Sequence, residues 1–400
     1  VGVAAAFEDA AGGGLDWQAI ETGSTMTAVA GNGYPIDTSS NACTITLPSS
    51  ASLGDQIIFT DYARNWGTNG IVIDSNGLNY QGDDDSYDVE YSTDGQSVNI
   101  VYSGATNGWI PIEDDTVEDE PSKGNQEGIF GFGYATLSMT NLVSNAGVVS
   151  SDVTGVGSGR RALAATQYGG DKGIFGYGDT GSVTAITNLV SNTGVVASDT
   201  AGVGTARRAP AACSYGGDKG IFGYGGGPTA VTNLVSNTGV VSSDVTGVGT
   251  ARQELAACEY GGDKGIFGYG DTGSFTAITN LVSNAGVVSS DVAGVGTARS
   301  TPGACGYGYD KGIFGYGNAI TAITNLVSNA GVVSSDVAGV GTARWEPSAC
   351  EYGGDKGIFG YGSTGSVTAV TNLVSNAGVV ASDVAGVGTA RAAGASCSFN

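Results

Sequence analysis

GIFGYG at residues 220–225, led in by APAACSYGGDK and followed by GGP and TAVTNLVSNTG, is one copy of a phrase that runs through the last two thirds of the chain. GIFGFG at 128–133 is its first copy, and GIFGYG returns at 173–178, 265–270, 312–317 and 357–362. The starts step by 45, 47, 45, 47 and 45 residues. A period in the forties with several short strands per unit is the mark of a β-propeller, in which one repeat is one blade. Between Ala209 and Arg252 four strand-like runs follow one another: APAACSY, GIFGYG, TAVTNLV and VVSSDVTGVGTAR. Val, Ile, Thr, Tyr and Phe fill the runs, and Gly, Asn and Asp mark the turns GGDK and SNTG. Within GIFGYG, Ile and Tyr fall on one strand face and Phe on the other. Glycine belongs inside such a strand only where another backbone or side chain comes close.

The ends of the repeat region predict closure. The first copy starts at GIFGFG without a first strand, while the chain ends in Cys397-Ser398-Phe399-Asn400, which matches the first-strand phrase CSY. The expected fold is therefore all-β: a six-bladed propeller of four-stranded blades over 128–400, its first blade completed by the C-terminal strand, after a small β domain. Closure removes exposed strand edges. A stacked β-solenoid is the alternative architecture.

The order of elements in each repeat, Arg207, AACSY, GGDK, IFGYG, TNLVSNTGVV and GVGTAR in one copy, resembles the kelch family. The resemblance covers 128–400. It departs in the second strand, which ends in GYG instead of a glycine pair, and before the fourth strand, where Val replaces the usual tryptophan. It implies a kelch-like propeller serving mainly as a binding scaffold, with a minority of such folds carrying enzymatic sites.

Residues 15–112 form a second module with strand-like runs NACTITLP, GDQIIFTDYA, GIVIDSNGLNY, SVNIVYSG and GWIPI. Its phrases GNGYPIDTSS, TLPSSASLGD, GTNG before IVID, and VYSGATNGW resemble a β-sandwich-like module of virion structural proteins of tailed phages, especially those of marine cyanobacteria. That resemblance implies a fibre or appendage exposed on the capsid or tail and assembled in the host cytoplasm. It also implies contact with other virion proteins and a homo-oligomer such as a trimer. Residues 1–14 read as a flexible lead. An acidic linker, 113–127, opens with EDDTVEDEPSKGNQ. Val1 is no initiator methionine, as expected of a processed or partial chain, and no apolar run reaches spanning length.

Charge and catalytic inventory narrow the function. Residues 1–122 hold 20 acidic side chains and one basic, Arg64, for −19; residues 123–400 hold 18 and 14, for −4, and together they make the −23 of the chain. Such a surface repels nucleic acid and anionic membrane, so neither is an expected partner. Solubility accounts for the acidity; a bound Ca2+ held by Asp83, Asp84, Asp85 and Asp88 is the alternative. With no histidine, His-based triads and His-ligated metals are excluded. The Gly-x-Gly phrases end strands and open no helix, so they are no phosphate loops. The chain is expected not to be an enzyme.

Cys213, Cys258, Cys305, Cys350 and Cys397 take one position in five first strands, with Thr166 in the sixth copy, and Cys43 stands apart. Thiols at equivalent positions of successive blades are too far apart to bridge, so they are expected free and buried, as suits a reducing compartment. Asp152, Asp199, Asp244, Asp291, Asp336 and Asp383 each precede an Arg by eight residues, namely Arg160, Arg207, Arg252, Arg299, Arg344 and Arg391. A ring of either charge would suit a ligand; pairs fixing each blade to its neighbour are the simpler expectation. The Asp-Lys pairs of the GGDK turns read as solvated.

Comparison of the copies locates variation. The turns GGDK and SNTG or SNAG are almost invariant. The connections after the second strand and after the Arg are not: the latter read RAL, RAP, QEL, STP, WEP and AAG. In an antiparallel blade these two sets lie on opposite faces, and functional residues commonly ride on loops held by a rigid scaffold. The candidate binding residues on the variable face are Trp345, Glu346, Phe275, Glu254 and Arg208. Trp345 is the only tryptophan of the repeats, and aromatic rings pack on the apolar faces of sugars. The expected function is non-catalytic binding of a host-surface glycan or protein. A propeller-type carbohydrate-active enzyme and a bacterial extracellular adhesin or sheath protein are the alternatives.

Overall fold

The computed structural model describes residues 15–83, 89–113 and 126–399, and all regular structure among them is β. The chain divides into two compact units, Val1–Ser122 and Lys123–Asn400.

The first unit contains β1 (Asp16–Trp17), β2 (Thr25–Thr27), β3 (Asn32–Ile36), β4 (Cys43–Thr46), β5 (Gln56–Asp61), β6 (Ile71–Asp74), β7 (Val89–Tyr91), β8 (Ser97–Tyr102) and β9 (Trp109–Glu113). They form two sheets, β1-β3-β5-β8-β9 and β2-β4-β6-β7. From β1 to β6 the chain alternates between the sheets, so β3 pairs parallel with β1 and β5, and β4 pairs parallel with β2 and β6. Parallel neighbours need a crossover, and here the strand of the other sheet supplies it. The alternating apolar residues Ile45, Ile57, Phe59, Ile71, Ile73, Val98 and Ile100 meet in one buried core with Trp66 and Trp109. The buried Asp61 carboxylate caps that core's edge, accepting the backbone N–H groups of Asn65, Trp66 and Gly95 at 3.0–3.1 Å.

The repeats form six three-stranded antiparallel sheets, numbered I to VI in chain order. Sheet I joins Leu137–Val143 and Glu127–Gly133 to the C-terminal strand Ala395–Phe399, with Ile129 opposite Cys397. Sheets II and III are Ala164–Tyr168, Lys172–Gly176, Thr187–Val190, and Ala211–Tyr215, Lys219–Gly225, Thr229–Val235. Sheets IV, V and VI repeat the pattern from Ala256, Gly303 and Ser348.

The expected fourth strand is not regular. Its residues touch the third strand only through isolated bridges such as Thr232 to Val245 and Val235 to Val241. A recurring asparagine side chain takes up a backbone acceptor there: Asn233 Nδ2 donates to the Ser242 carbonyl at 3.1 Å and Asn188 Nδ2 to the Ala197 carbonyl at 3.0 Å. Short polar side chains that compete for backbone groups in this way break up a strand.

Successive sheets are held by one set of contacts repeated six times. The ring pairs Phe132–Phe175, Tyr177–Phe222, Tyr224–Phe267, Tyr269–Phe314 and Tyr316–Phe359 join I to II through V to VI, and Phe130–Tyr361 joins VI to I, all edge-to-face at 5.0–5.2 Å. The strand glycines make room for this: a Cβ on Gly223 would lie 2.7 Å from the Phe267 ring. Each first-strand thiol fills a similar slot over a glycine of the next sheet, as Cys213 does over Gly265, and all six cysteines are free and buried. Burial pushes their thiols up, Cys397 to about 12.

The recurring Asp and Arg also bind between sheets, but not to each other in the expected way. Asp244 of sheet III accepts the Thr205 N–H and hydroxyl, the latter at 2.6 Å, together with its own sheet's Asn233 Nδ2 at 2.9 Å. The same latch joins Asp199 to Ser158, Asp291 to Thr250, Asp336 to Thr297, Asp383 to Thr342 and Asp152 to Thr389. Only Arg160 comes within 4 Å of such a carboxylate, Asp199 at 3.9 Å. The six arginines are buried and lie over aromatic rings, Arg207 over Tyr177 at 4.1 Å and Arg391 over Tyr361 at 3.9 Å. In the GGDK turns the lysines are about 40% exposed beside their own Asp, as a solvated turn requires, but the Asp218 carbonyl accepts the Gly169 N–H of the preceding sheet at 2.7 Å.

Candidate binding cavity

The residue two places after each Arg makes the floor of the site. Ala162, Ala209, Glu254, Thr301, Glu346 and Ala393 all adopt left-handed backbone, with φ between 50° and 58°. For a non-glycine residue this costs roughly 1 kcal/mol, and a shared hydrogen-bond chain offsets it. The N–H of Ala162 donates to the carbonyl of Ala393, Ala209 to Ala162, Glu254 to Ala209, Thr301 to Glu254 and Glu346 to Thr301, at 2.7–3.2 Å. Six repeats thus meet in one chain of backbone bonds. Among the described residues no bond links the Ala393 N–H to the Glu346 carbonyl, so the chain opens beside Glu346.

Above this floor lies a cavity of about 740 Å³. Part of its wall is built where the residue after an Arg meets the connection that follows a second strand. Arg161 and Asp179 exchange two backbone bonds, as do Trp345 and Ser363, at 2.9–3.0 Å. Longer DTGS or STGS connections in sheets II, IV and VI alternate with short ones in I, III and V, which explains the alternating 47- and 45-residue steps.

The lining is chemically lopsided. Two guanidiniums, of Arg161 and Arg208, face three carboxylates, of Asp179, Glu254 and Glu346. Both guanidiniums lean on Asp179, at 3.7 and 4.0 Å, and Arg161 also lies over the Tyr134 ring. Glu346 is raised above the ordinary carboxylate range by burial first and by the neighbouring Glu254 second, against the opposing pull of Arg161. Trp345 stands next to it in the lining, half-buried, with its indole Nε1 buried and without a hydrogen-bond partner among the described residues.

Of the five candidates read from the sequence, Arg208, Glu254, Trp345 and Glu346 come together in this cavity. Phe275 does not line it; it sits in the connection of sheet IV, bridged to Asp271 and 45% exposed. Asp83 lies in a tight turn, exchanging backbone bonds with Tyr80, and Asp84, Asp85 and Asp88 lie outside the described residues. Among the described residues no group of three or more His, Cys, Asp or Glu side chains is placed to hold a metal.

The sequence reading missed Tyr134, Arg161, Asp179 and Thr301. The signal for Arg161 and Thr301 was present in the triplets after each Arg, as the first letter of RAL and the middle letter of STP, and Tyr134 and Asp179 open the connections that follow the second strands of the first two copies. It missed a second feature as well. The residue before the last letter of each first strand, Gln167, Ser214, Glu259, Gly306, Glu351 and Ser398, lines a narrow channel of about 90 Å³. There Gln167 Nε2 donates to Glu259 at 3.0 Å, and the Ser214 hydroxyl donates to the same carboxyl. Glu351 takes the Gly306 N–H at 3.1 Å, in space that any side chain at 306 would occupy. Burial raises both carboxyls well above their ordinary range, and for Glu259 the charge of Glu351 adds to it.

No protein-family model matches this chain, and no curated protein matches it. No helix among the described residues is long and apolar enough to cross a membrane.

Proposed function

We propose that the six sheets close into a six-bladed, kelch-like β-propeller and that the chain is a phage virion structural protein, a fibre or appendage on capsid or tail. In this reading the propeller binds a host-surface glycan or protein without catalysis, and the 15–112 module serves as shaft or attachment to other virion proteins. The observation that carries the binding role is the convergence of all six connections that follow an Arg on one cavity of about 740 Å³, within the size range of small-ligand sites. Support for closure comes from the contacts of sheet VI with sheet I, Phe130–Tyr361 and Asp152–Thr389, and from the pairing within sheet I of the C-terminal strand with Glu127–Gly133. The virion assignment rests on the phrases of the 15–112 module. Its tests are the recovery of the chain from purified virions by mass spectrometry and adsorption to host cells. Replacing Trp345 and Glu346 by Ala should reduce adsorption, and Lys264→Ala and Lys311→Ala should leave it intact. The reverse pattern would place binding on the other face.

A second reading has one observation in its favour. Glu346 is raised by burial and by the neighbouring Glu254, and two carboxyls sharing a site is the pairing that glycosidases use. Release of sugar fragments from host envelope material by the soluble protein would decide for the enzyme.

A further inference from the structure

The floor of the cavity is rich in acceptors and poor in free donors. Five of its six backbone N–H groups are spent on neighbouring carbonyls, and both wall guanidiniums lean on Asp179. What remains is the carboxylate pair Glu254 and Glu346, separated in the floor by Thr301, and the Glu346 carbonyl at the opening of the bonded chain. Counted over the lining, three carboxylates against two guanidiniums leave one negative charge. The charge of Glu254 acts unfavourably on Glu346, opposed in part by Arg161, and a bound cation relieves such repulsion.

Beside this pair stands Trp345, with Pro302 and Pro347 completing an apolar stretch of the lining. A ring-shaped polyhydroxyl ligand with an apolar face fits the tryptophan; a hydrogen-bond donor bearing positive charge fits the carboxylates. A neutral N-acetyl group offers neither the charge nor the three donors of an ammonium.

We infer that the cavity selects a saccharide bearing a free, cationic amino group, seated between Glu254 and Glu346 with its sugar ring against Trp345. The inference rests on the binding role proposed above and narrows it to one ligand class. The indole supplies area and the carboxylates supply discrimination, so the two contributions separate by mutation.

The test is calorimetric titration of the full chain, near neutral pH, with a trisaccharide of glucosamine and with its fully N-acetylated counterpart. The free amine should bind at least about tenfold more tightly, the effect of one charge-assisted contact in a partly buried site. Glu254→Gln and Glu346→Gln, which keep the side-chain shape, should abolish that preference, and Trp345→Ala should weaken both sugars alike. Unchanged melting of each variant shows that the fold is intact. Equal binding of the two sugars, or a preference for the acetylated one, overturns the inference and leaves a glycan-binding cavity standing. If neither sugar binds, the inference falls. Adsorption of the Trp345 variant then judges the wider reading by itself.

Discussion

Two layers of the same repeats follow opposite rules. Where sheets join, every copy uses the same parts: Asp on Thr or Ser, Asn on that Asp, and Arg over an aromatic ring. Where they surround the cavity, the six equivalent floor positions hold three alanines, two glutamates and one threonine. The joining layer is constant because the exposed Asp–Thr latch sits on fully buried Asn and Arg side chains, and a buried polar group that loses its partner is left unsatisfied. The floor varies because its bonds are made by backbone, which is indifferent to the side chain it carries. The repeat therefore separates a scaffold that tolerates little change from a surface that can be rewritten one position at a time.

That contrast breaks most visibly at the last strand. If sheets VI and I close as proposed, removing residues 392–400 uncovers the edge of Glu127–Gly133 and takes away the Cys397 and Phe399 side chains buried there. Cooperative unfolding should be lost, or the protein should aggregate. A truncated chain that stays monodisperse and melts as before would refute closure.

A smaller effect is expected from one latch. Asp291→Ala removes the acceptor of the solvent-exposed Thr250 N–H and hydroxyl and one of the two acceptors of the Asn280 Nδ2, at a cost of about 1 kcal/mol in denaturant unfolding. Thr301→Ala in the floor should cost much less, since its place there is held by backbone. Equal losses would erase the distinction between the two layers.

The pH dependence sharpens the comparison, because the joining layer and the channel titrate in opposite directions. Asp244 is held below the ordinary carboxylate range, by the Thr205 hydroxyl most of all and then, against burial, by Asn233, the Thr205 N–H and Arg207. Its contribution is present above the ordinary Asp value and is lost as pH falls through the depressed one. Glu259 and Glu351 are raised, so their contribution is present below the ordinary Glu value and is lost as pH rises through the raised ones. Facing them are each other, Asp263 and the thiols of Cys213, Cys258 and Cys305, with no cation to compensate among the described groups that act on them. Melting temperature should therefore fall from mildly acidic to mildly alkaline pH, and Glu259→Gln should flatten that limb. An alkaline limb that Glu259→Gln leaves unchanged would assign it elsewhere.

The smallest stability effect is expected at the cavity wall. Trp345→Ala with Glu346→Ala should shift unfolding by less than about 0.5 kcal/mol if these side chains serve a ligand and not the ring. A loss of several kcal/mol would make Trp345 a packing residue.

Much of this was legible in the residues. The six-fold phrase marked off the repeats, the strand and turn residues marked the first three strands of each, and CSF at the end of the chain announced its pairing with the first copy. The comparison of copies pointed to the connections that line the cavity, and four of five candidates fell there. Less legible were features that depend on groups far apart in the chain. The fourth run reads as a strand by composition, but the recurring asparagine, Asn233 in one copy and Asn188 in another, occupies a backbone carbonyl that a ladder would need. The parallel winding of 15–113 left no trace in its alternating runs, since alternation records which face is buried and not which strand lies alongside.

The residues alone determined the local pieces and their number, because strand periodicity, turn chemistry and a repeated phrase are properties of neighbours along the chain. Only the tertiary structure decided that Asp244 meets Thr205 instead of Arg252, that Glu254 and Glu346 share one cavity, and that Glu259 and Glu351 share one channel. Those meetings join positions 39 residues apart in the first case and two whole repeats apart in the others. Their physical basis is the placing of equivalent positions of successive sheets around shared space, where a charge acts on its counterpart through burial and distance and not through sequence.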